Sequence, residues 1–135
     1  MTVLDSSGAV DFLLGVGVAD QVGELIAREG EVAAPEVLVF EVVAVLRRQV
    51  LGGALPQERA RAAVADLGDL PIELFPSLPL RERAWSLRRS LTVADAMFAA
   101  LAEALDEPLA TKDAPLAAAL AEHTGVAVRV LAEIS

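Results

Sequence analysis

The possible folds are limited above all by residues 90–113, whose sequence SLTVADAMFAALAEALDEPLATKD predicts a helix followed by a short buried strand. Thr92 can cap a helix, and the Ala- and Leu-rich residues 93–105 have high helix propensity. The Asp-Glu-Pro triplet after them ends the helix, and residues 109–111 are too short and too apolar for anything but a strand. The stretch therefore predicts the helix-to-strand half of an α/β unit.

Two aspartates stand near the ends of this unit. Asp95 lies in the first turn of the predicted helix, and Asp113 follows the predicted strand. In a parallel α/β sheet, the amino ends of helices and the carboxyl ends of strands lie along the same edge of the sheet. We therefore expect the two carboxylates on one side of the molecule.

The rest of the chain continues the alternation of short apolar segments with helices, separated by Gly and Pro. The predicted strands are residues 1–4, 31–34, 72–75, 109–111 and 127–131, and the predicted helices are residues 7–14, 18–28, 35–51, 56–67, 80–89, 93–105 and 113–123. Strands joined by helices imply right-handed crossovers and a parallel sheet covered on both faces. The fold class is therefore α/β, a three-layer α/β/α sandwich with a short parallel sheet, and residues 1–135 are expected to form a single domain.

The residue types that are absent exclude several classes of site. The 135 residues include no Cys, which removes disulfides, thiolate zinc sites and thiol catalysis. His123 is the only histidine, so a two-histidine acid/base mechanism is impossible and a Ser-His triad is not expected. No apolar run approaches the roughly 18 residues that span a membrane, and residues 1–10 lack the basic region of a signal peptide. We therefore expect no membrane segment and a cytoplasmic location.

The net charge of −9 argues against a general nucleic-acid binder, which is usually basic. It suits a protein that concentrates metal cations or that a basic partner neutralises. Most of the acids are interpreted as parts of solvated faces, among them Asp11, Glu24, Glu103 and Glu122.

Four other acids have positions that suggest one site. Asp5 and Asp113 each follow a predicted strand and Asp95 begins a helix, although each of these could simply be a helix cap. Glu41 lies in the middle of the apolar helix LVFEVVAVL, where a buried carboxylate without a partner costs several kcal/mol. If the four carboxylates converge, their repulsion calls for a cation, and hard oxygen ligands suit Mg²⁺ or Mn²⁺. Such a site can activate water and neutralise a phosphodiester in its transition state.

Three segments carry a resemblance to a known family: VLDSSGAVDFLL, APEVLVFEVVAVLRR and LRRSLTVADAMFAALAEALDEPLATKDAPLAAAL. In this order and at this chain length they resemble PIN-domain ribonucleases, and most of all the VapC toxins of type II toxin–antitoxin pairs. The resemblance implies that the catalytic, metal-binding residues are Asp5, Glu41, Asp95 and Asp113. It also implies that Ser7 is the small polar residue after the first acid and that Thr111 supplies the hydroxyl that supports the fourth acid.

The same resemblance implies a function. It is that of an endoribonuclease dependent on Mg²⁺ or Mn²⁺, in which metal-activated water cleaves RNA to leave a 5′-phosphate and a 3′-hydroxyl. It further implies a homodimer and a cognate VapB-type antitoxin whose tail blocks the acidic groove. Two residues depart from the family pattern: Phe98 stands where an aromatic with a hydroxyl is common, and Pro115 stands where an Arg often follows the last Asp.

Several other residues have more than one interpretation. Basic residues close in sequence to the predicted acids are candidate contacts to RNA phosphates, or serve only solubility: Arg88, Arg89 and Lys112. Trp85 is expected in the core or in a dimer contact, and His123 on the surface.

Two other classes of protein remain open. A phosphoacceptor receiver domain also has an acidic Mg²⁺ pocket on an α/β sheet. It requires an acid pair after the first strand, where Asp5 is followed by Ser6, and an Asp after the third, where the chain reads PIELFPSLP. A PIN-like module that binds partners without cleaving RNA is the other alternative, and the presence of all four acids argues against it.

Overall fold

The structure, a computed structural model, describes residues 1–133 and is built on a parallel sheet of five strands. The strands are β1 (Val3–Leu4), β2 (Val32–Pro35), β3 (Ile72–Phe75), β4 (Leu109–Thr111) and β5 (Val128–Val130). The helices are α1 (Ser6–Leu14), α2 (Ala19–Glu29), α3 (Val37–Leu51), α4 (Gln57–Leu67), α5 (Arg81–Ser86), α6 (Val93–Leu105) and α7 (Ala114–His123). A 3₁₀ turn, Leu78–Leu80, precedes α5.

The strand order is β3-β2-β1-β4-β5, and every pair of neighbours is parallel. The chain moves outward from β1 to β3 and then returns to the other side of β1 with β4. The carboxyl ends of β1 and β4 therefore form a topological switch point, which is where open α/β sheets place their binding sites.

Helices cover both faces of this sheet. α1 packs against α2, α3 and α4, whereas α6 packs against α5 and crosses β1, β2 and β4, and α7 packs on β4 and β5. Right-handed crossovers explain why α1 to α4 lie on one face and α5 to α7 on the other. The chain moves across the sheet in one direction up to β3 and in the opposite direction afterwards. The central strands β1, β2 and β4 are buried along their whole length, and Phe98 of α6 is among the largest fully buried side chains. The predicted α/β/α sandwich with a parallel sheet is confirmed.

The α6–β4 unit has the predicted bounds, and the differences elsewhere have local causes. β1 begins two residues later than predicted, since the N–H and hydroxyl of Thr2 donate to the Glu29 carboxylate at 2.6 and 2.7 Å. α3 begins two residues after Pro35, because Pro35 still belongs to β2 and pairs with Phe75. A side-chain contact in one case and a backbone strand pairing in the other, neither of which hydrophobic periodicity reports, therefore set these ends.

The Arg-rich helix departs further from prediction. It is expected over residues 80–89, but α5 ends at Ser86, after which the N–H of Leu87 bonds back to the carbonyls of the preceding turn. Trp85 is 66% exposed, so its predicted place in the core is wrong. The guanidinium of Arg88 lies 4.5 Å from the centre of its ring. The alternative role of Trp85 in a dimer contact stays a prediction.

The sequence interpretation placed Asp11 on a solvated face, and this is wrong. It is 5% exposed, and its Oδ2 accepts the N–H of Val18 at 3.0 Å and the Nζ of Lys112 at 2.8 Å. It thereby ties the turn between α1 and α2 to the residue that follows β4. The other three acids of that group lie at or near the surface as expected: Glu24, Glu103 and Glu122.

The carboxyl-terminal part follows the predicted order. α7 begins at Ala114 with Asp113 as its cap, and β5 is one residue shorter at each end than predicted. His123 is exposed in the last turn of α7, as expected. Within residues 1–133, no helix is both long enough and apolar enough to cross a bilayer.

Candidate active site

Asp5 lies at the switch point, directly after β1 and at the start of α1. Its side chain is 6% exposed and caps α1, with Oδ1 accepting the N–H of Gly8 at 3.1 Å. The hydroxyl of Ser7 donates to Oδ1 at 2.9 Å, and the hydroxyl of Thr111 donates to Oδ2 at 2.5 Å. Asp5 is thus a helix cap, but hydroxyl donors from two different elements also fix the orientation of its carboxylate.

Thr111, the last residue of β4, links the first acid to the fourth. Its hydroxyl oxygen accepts the N–H of Asp113 at 3.0 Å while its proton is donated to Asp5. The carboxylate of Asp113 is exposed and caps α7, accepting the N–H of Leu116 at 3.0 Å. The hydroxyl of Thr111 therefore donates its proton to the first acid and holds the fourth acid through the backbone N–H of Asp113.

Asp95 and Glu41 reach the site from helices on opposite faces of the sheet. The cap of α6 is Thr92, whose hydroxyl oxygen accepts the N–H of Asp95 at 3.2 Å. Glu41 is half-buried in the middle of α3, and the hydroxyl of Ser6 donates to its Oε1 at 2.5 Å. Sequence reasoning missed Ser6, and its position beside Asp5 at the start of α1 was the only signal for it.

These side chains line one cavity of about 260 Å³ at the carboxyl edge of the sheet, which we call the acidic cavity. One face of α3 forms part of its wall. The polar residues in the wall are the four acids, two serines and one arginine: Asp5, Glu41, Asp95, Asp113, Ser6, Ser7 and Arg48. The four predicted acids thus converge in space, while their role in catalysis or metal binding stays a prediction.

The acids influence one another's ionisation across this cavity. Burial raises the pKa of Asp5, of Glu41 and of Asp95 above the ordinary values of these side chains. The charge of Asp95 raises the pKa of Asp5 and of Glu41 further, and the charge of Asp113 does the same to the pKa of Asp95. Hydroxyl and amide donors act in the opposite direction and lower the pKa of each of these groups. Burial and mutual repulsion therefore favour the protonated form of these acids, whereas the hydrogen-bond donors favour the ionised form.

The donor set fits a hard divalent cation. It consists of carboxylate oxygens, the ligands that Mg²⁺ and Mn²⁺ prefer. Across residues 1–133, no three acidic or histidine side chains already form a metal-binding group. The fit therefore rests on the chemistry of the oxygens and on the coupling of the carboxylates, whose repulsion a cation would relieve as it drew them together.

The predicted RNA contacts lie outside the acidic cavity. Lys112 is paired with Asp11, and the guanidinium of Arg88 donates to the carbonyl of Trp85 at 3.0 Å while it covers the indole. Arg89 is exposed. The wall of the cavity contains a different basic residue, Arg48 of α3. Its signal in the sequence was its spacing, since seven residues after Glu41 is about two helical turns and the same face of the helix.

The two departures from the family pattern have different surroundings. Phe98 is 1% exposed and its ring lies under the acidic cavity as part of the core, so a hydroxyl at this position is not required for packing. Pro115 is exposed in the first turn of α7, where its missing N–H removes no intrahelical bond.

Comparisons with known proteins give a consistent result. The family model described as PIN domain matches residues 2–122. Ribonuclease VapC1 of Mycobacterium tuberculosis is 42% identical over 118 residues, which are 87% of this chain and 89% of that protein. Ribonuclease VapC12 of the same organism is 35% identical over 117 residues, which are 87% of this chain and 90% of that protein.

Solved structures agree at the level of the fold. The crystal structure of PAE2754 from Pyrobaculum aerophilum superposes with a TM-score of 0.71 at 20% identity, covering 94% of this chain and 81% of that one. A toxin–antitoxin complex from Klebsiella pneumoniae gives 0.66 at 21% identity, covering 99% of this chain and 100% of that one. The match to the PIN model excludes the receiver domain as the fold. The chain belongs to the PIN-domain family, among its VapC-type ribonucleases.

Proposed function

We propose that this protein is an endoribonuclease dependent on Mg²⁺ or Mn²⁺ and the toxin of a type II toxin–antitoxin pair. The observation that carries the proposal is the convergence of four carboxylates, from the β1–α1 junction, α3, α6 and the β4–α7 junction, on one cavity at the switch point. The relatives, which are named ribonucleases, support it, and so does the structural neighbour that comes from a toxin–antitoxin complex.

Asp5, Glu41, Asp95 and Asp113 would hold the cation, since their oxygens are hard ligands and the chain has no Cys and one His. When bound, the cation supplies activation of water and neutralisation of charge on the phosphodiester. We expect hydrolysis of the P–O3′ bond, with products that end in a 5′-phosphate and a 3′-hydroxyl.

The hydroxyl groups around the cavity favour the ionised form of the acids, which is the form that binds a cation. Thr111 and Ser7 donate to Asp5, and Ser6 donates to Glu41. A donor favours the ionised carboxylate over the protonated one, so each hydroxyl opposes the rise in pKa that burial causes. These residues orient the ligands and hold them unprotonated, and none of them needs to touch the substrate.

The proposal includes partners. A protein of net charge −9 with an acidic cavity is suited to a block by a basic side chain that takes the place of the cation among the carboxylates, and a VapB-type antitoxin would insert that side chain. We also propose a homodimer that acts on RNA in the cytoplasm. Apolar side chains of α3, α4 and β3 that a partner would cover are exposed: Val39, Val43, Leu51, Val64 and Leu74.

The test is cleavage by purified protein freed of any partner. RNA should be cut when Mg²⁺ or Mn²⁺ is present and should stay intact when a chelator is added. Asp95→Asn and Asp113→Asn should each abolish cleavage, because each removes one charged ligand. Glu24→Gln is the matched control, since it neutralises an exposed acid on α2 outside the cavity.

Two results would contradict the proposal. Cleavage that continues in chelator and survives both aspartate substitutions would assign the nuclease activity to something other than the acidic cavity. An intact, folded wild-type protein that cuts no RNA with either metal would favour the PIN-like module that only binds partners.

A further inference from the structure

One face of α3 forms a wall of the acidic cavity with an unusual composition. Phe40, Glu41, Ala44, Val45 and Arg48 line it. With about 100° between successive residues, these five positions fall on one side of the helix. The wall thus combines an aromatic ring, a carboxylate and a guanidinium.

Arg48 is not used to neutralise the acids. Its side chain is exposed, and within residues 1–133 it forms no ion pair with any of the four carboxylates. It is also the only basic residue in the cavity wall among those that the structure describes. A guanidinium presents paired N–H donors whose geometry matches a phosphate. Arg48 is therefore free to bind an anionic group of a molecule that enters the cavity.

Phe40 is a large apolar side chain that is exposed to solvent. It is 72% exposed, although it lies beside the half-buried Glu41 at the mouth of the cavity. Aromatic rings in such positions are used as platforms on which unpaired bases stack. Phe40 and Arg48 are eight residues apart, which is about 12 Å along the helix axis. A strand that follows α3 can therefore meet the ring and the guanidinium with different nucleotides.

We propose that the α3 wall of the acidic cavity is a subsite for single-stranded RNA, in which Phe40 stacks with an unpaired base and Arg48 binds a backbone phosphate. This inference rests on the proposed ribonuclease function and adds the two residues that position the substrate strand. A duplex is excluded from the subsite, because a paired base keeps its faces against its neighbours and cannot stack on the ring.

The phosphate contact is tested by binding rather than by cleavage. A labelled pool of single-stranded oligoribonucleotides of randomised sequence is titrated with the Asp95→Asn protein in Mg²⁺, at several salt concentrations. Adding Arg48→Gln should weaken binding about tenfold. It should also lower the slope of log affinity against log salt by about 0.7, the value for one phosphate of a single strand.

Arg47→Gln is the matched control. Arg47 is exposed, is adjacent in sequence and has the same charge, but it lines a separate depression between α3 and α4. Both substitutions change the net charge equally, so a long-range effect of charge would move both alike. Equal effects of Arg47→Gln and Arg48→Gln on the slope and on affinity would overturn the phosphate contact.

The stacking contact has its own pair of variants. Phe40→Leu should weaken binding of the single-stranded pool about fivefold and leave the salt slope unchanged, since it removes a ring and no charge. Trp85→Leu removes another exposed aromatic, away from the cavity, and should have little effect. A larger loss with Trp85→Leu would overturn the placement of the subsite, and tight binding of a perfect RNA duplex would overturn its preference for single strands.

The outcomes separate this inference from the function on which it rests. If the wild type neither binds nor cuts RNA, the proposed function fails, and the subsite fails with it. If the wild type cuts RNA while Arg48→Gln and Phe40→Leu bind the pool normally, the function stands and the subsite is wrong. Normal RNA binding by these two variants combined with loss of affinity for the antitoxin would assign the α3 wall to the protein partner. Thermal melts of all the variants should match their parent, since each altered side chain is exposed.

Discussion

Replacing Thr111 by Val tests how the hydroxyl network holds the first acid. Thr111 is fully buried and Val has nearly the same shape, so the substitution removes the hydroxyl and little else. The hydroxyl donates to Asp5 and accepts the N–H of Asp113. A hydrogen bond to a charged group contributes about 1.5–3 kcal/mol, and an N–H left unsatisfied costs about 1 kcal/mol. We expect a total loss of about 3 kcal/mol at neutral pH, or about 9 °C in melting temperature for a domain of this size.

The dependence of this loss on pH identifies the charged bond. Burial already raises the pKa of Asp5 in the folded protein, and removing the Thr111 donor raises that pKa further. When the pKa of a group is higher in the folded than in the unfolded protein, protonation of that group favours the folded state. This contribution to the free energy of unfolding is fully present below the unfolded pKa and is lost as pH rises through the folded pKa. The additional shift therefore destabilises the variant at neutral pH and not where Asp5 is protonated in both states. We expect the loss to shrink as pH falls toward 3.8, the ordinary pKa of Asp.

Urea unfolding followed by circular dichroism at several pH values measures these losses. Thr111→Ser is the control, because it keeps the hydroxyl and removes one methyl group, at a cost of about 1 kcal/mol that does not depend on pH. A loss for Thr111→Val that is the same at neutral and acidic pH, or no larger than that for Thr111→Ser, would refute the charged hydrogen bond to Asp5.

Three further predictions concern Asp11, the pH dependence of cleavage and Ser6. Asp11→Ala should destabilise the fold by about 2 kcal/mol, mainly because the N–H of Val18 loses its acceptor; a change in urea unfolding below about 0.5 kcal/mol would contradict this. At a cation concentration that does not saturate the site, cleavage of RNA should decline on acidification at a pH above the ordinary carboxylate range, because protons compete with the cation for acids whose pKa is raised in the metal-free protein. Ser6→Ala should move that decline to still higher pH, since the Ser6 hydroxyl lowers the pKa of Glu41; an unmoved pH profile of kcat/KM would count against the contact.

The parts of the fold that the sequence predicted have dense local signals. α6 and β4 have the predicted bounds because a cap at Thr92, a uniform run of helix formers and an Asp-Glu-Pro break occur within twenty residues of each other. The convergence of the acids was also accessible. It follows from the rule that the carboxyl ends of parallel strands share an edge, which needs the element order and no side-chain detail.

The features that the sequence did not predict depend on contacts between distant residues. Asp11 looks like any surface acid on an amphipathic helix, but its buried carboxylate pairs with Lys112, which is 101 residues away. The proton of Thr111 goes to Asp5, 106 residues away, rather than to the neighbouring acid. Which of two adjacent serines faces Glu41 depends on how the first turn of α1 leaves the strand, and the sequence Asp-Ser-Ser does not specify this.

The exposure of two aromatic side chains could not be predicted from the sequence either. A single Trp in an Arg-rich helix is usually core, but the helix here is so short that Trp85 projects into solvent under Arg88. Phe40 and Arg48 belong to a helix whose apolar sequence predicts burial all round, whereas one face of it lines the acidic cavity. An apolar helix with a polar function on one side has no distinctive periodicity.

The central claim is that the four acids form one cation site, and the thermal stability of Asp95→Asn tests it most directly. Burial and the charge of Asp113 raise the folded pKa of Asp95, so the ionised side chain destabilises the metal-free fold at neutral pH. The cap of α6 is the Thr92 hydroxyl, which Asp95→Asn leaves in place.

Melting curves of the wild type and Asp95→Asn, with and without Mn²⁺, give the decisive comparison. A ligand at 100 times its Kd stabilises the fold by about 2.7 kcal/mol, which is a shift on the order of 10 °C here. The variant should melt higher than the wild type without metal and show a much smaller shift with Mn²⁺. A variant that melts lower than the wild type without metal and retains the full Mn²⁺ shift would contradict a shared cation site.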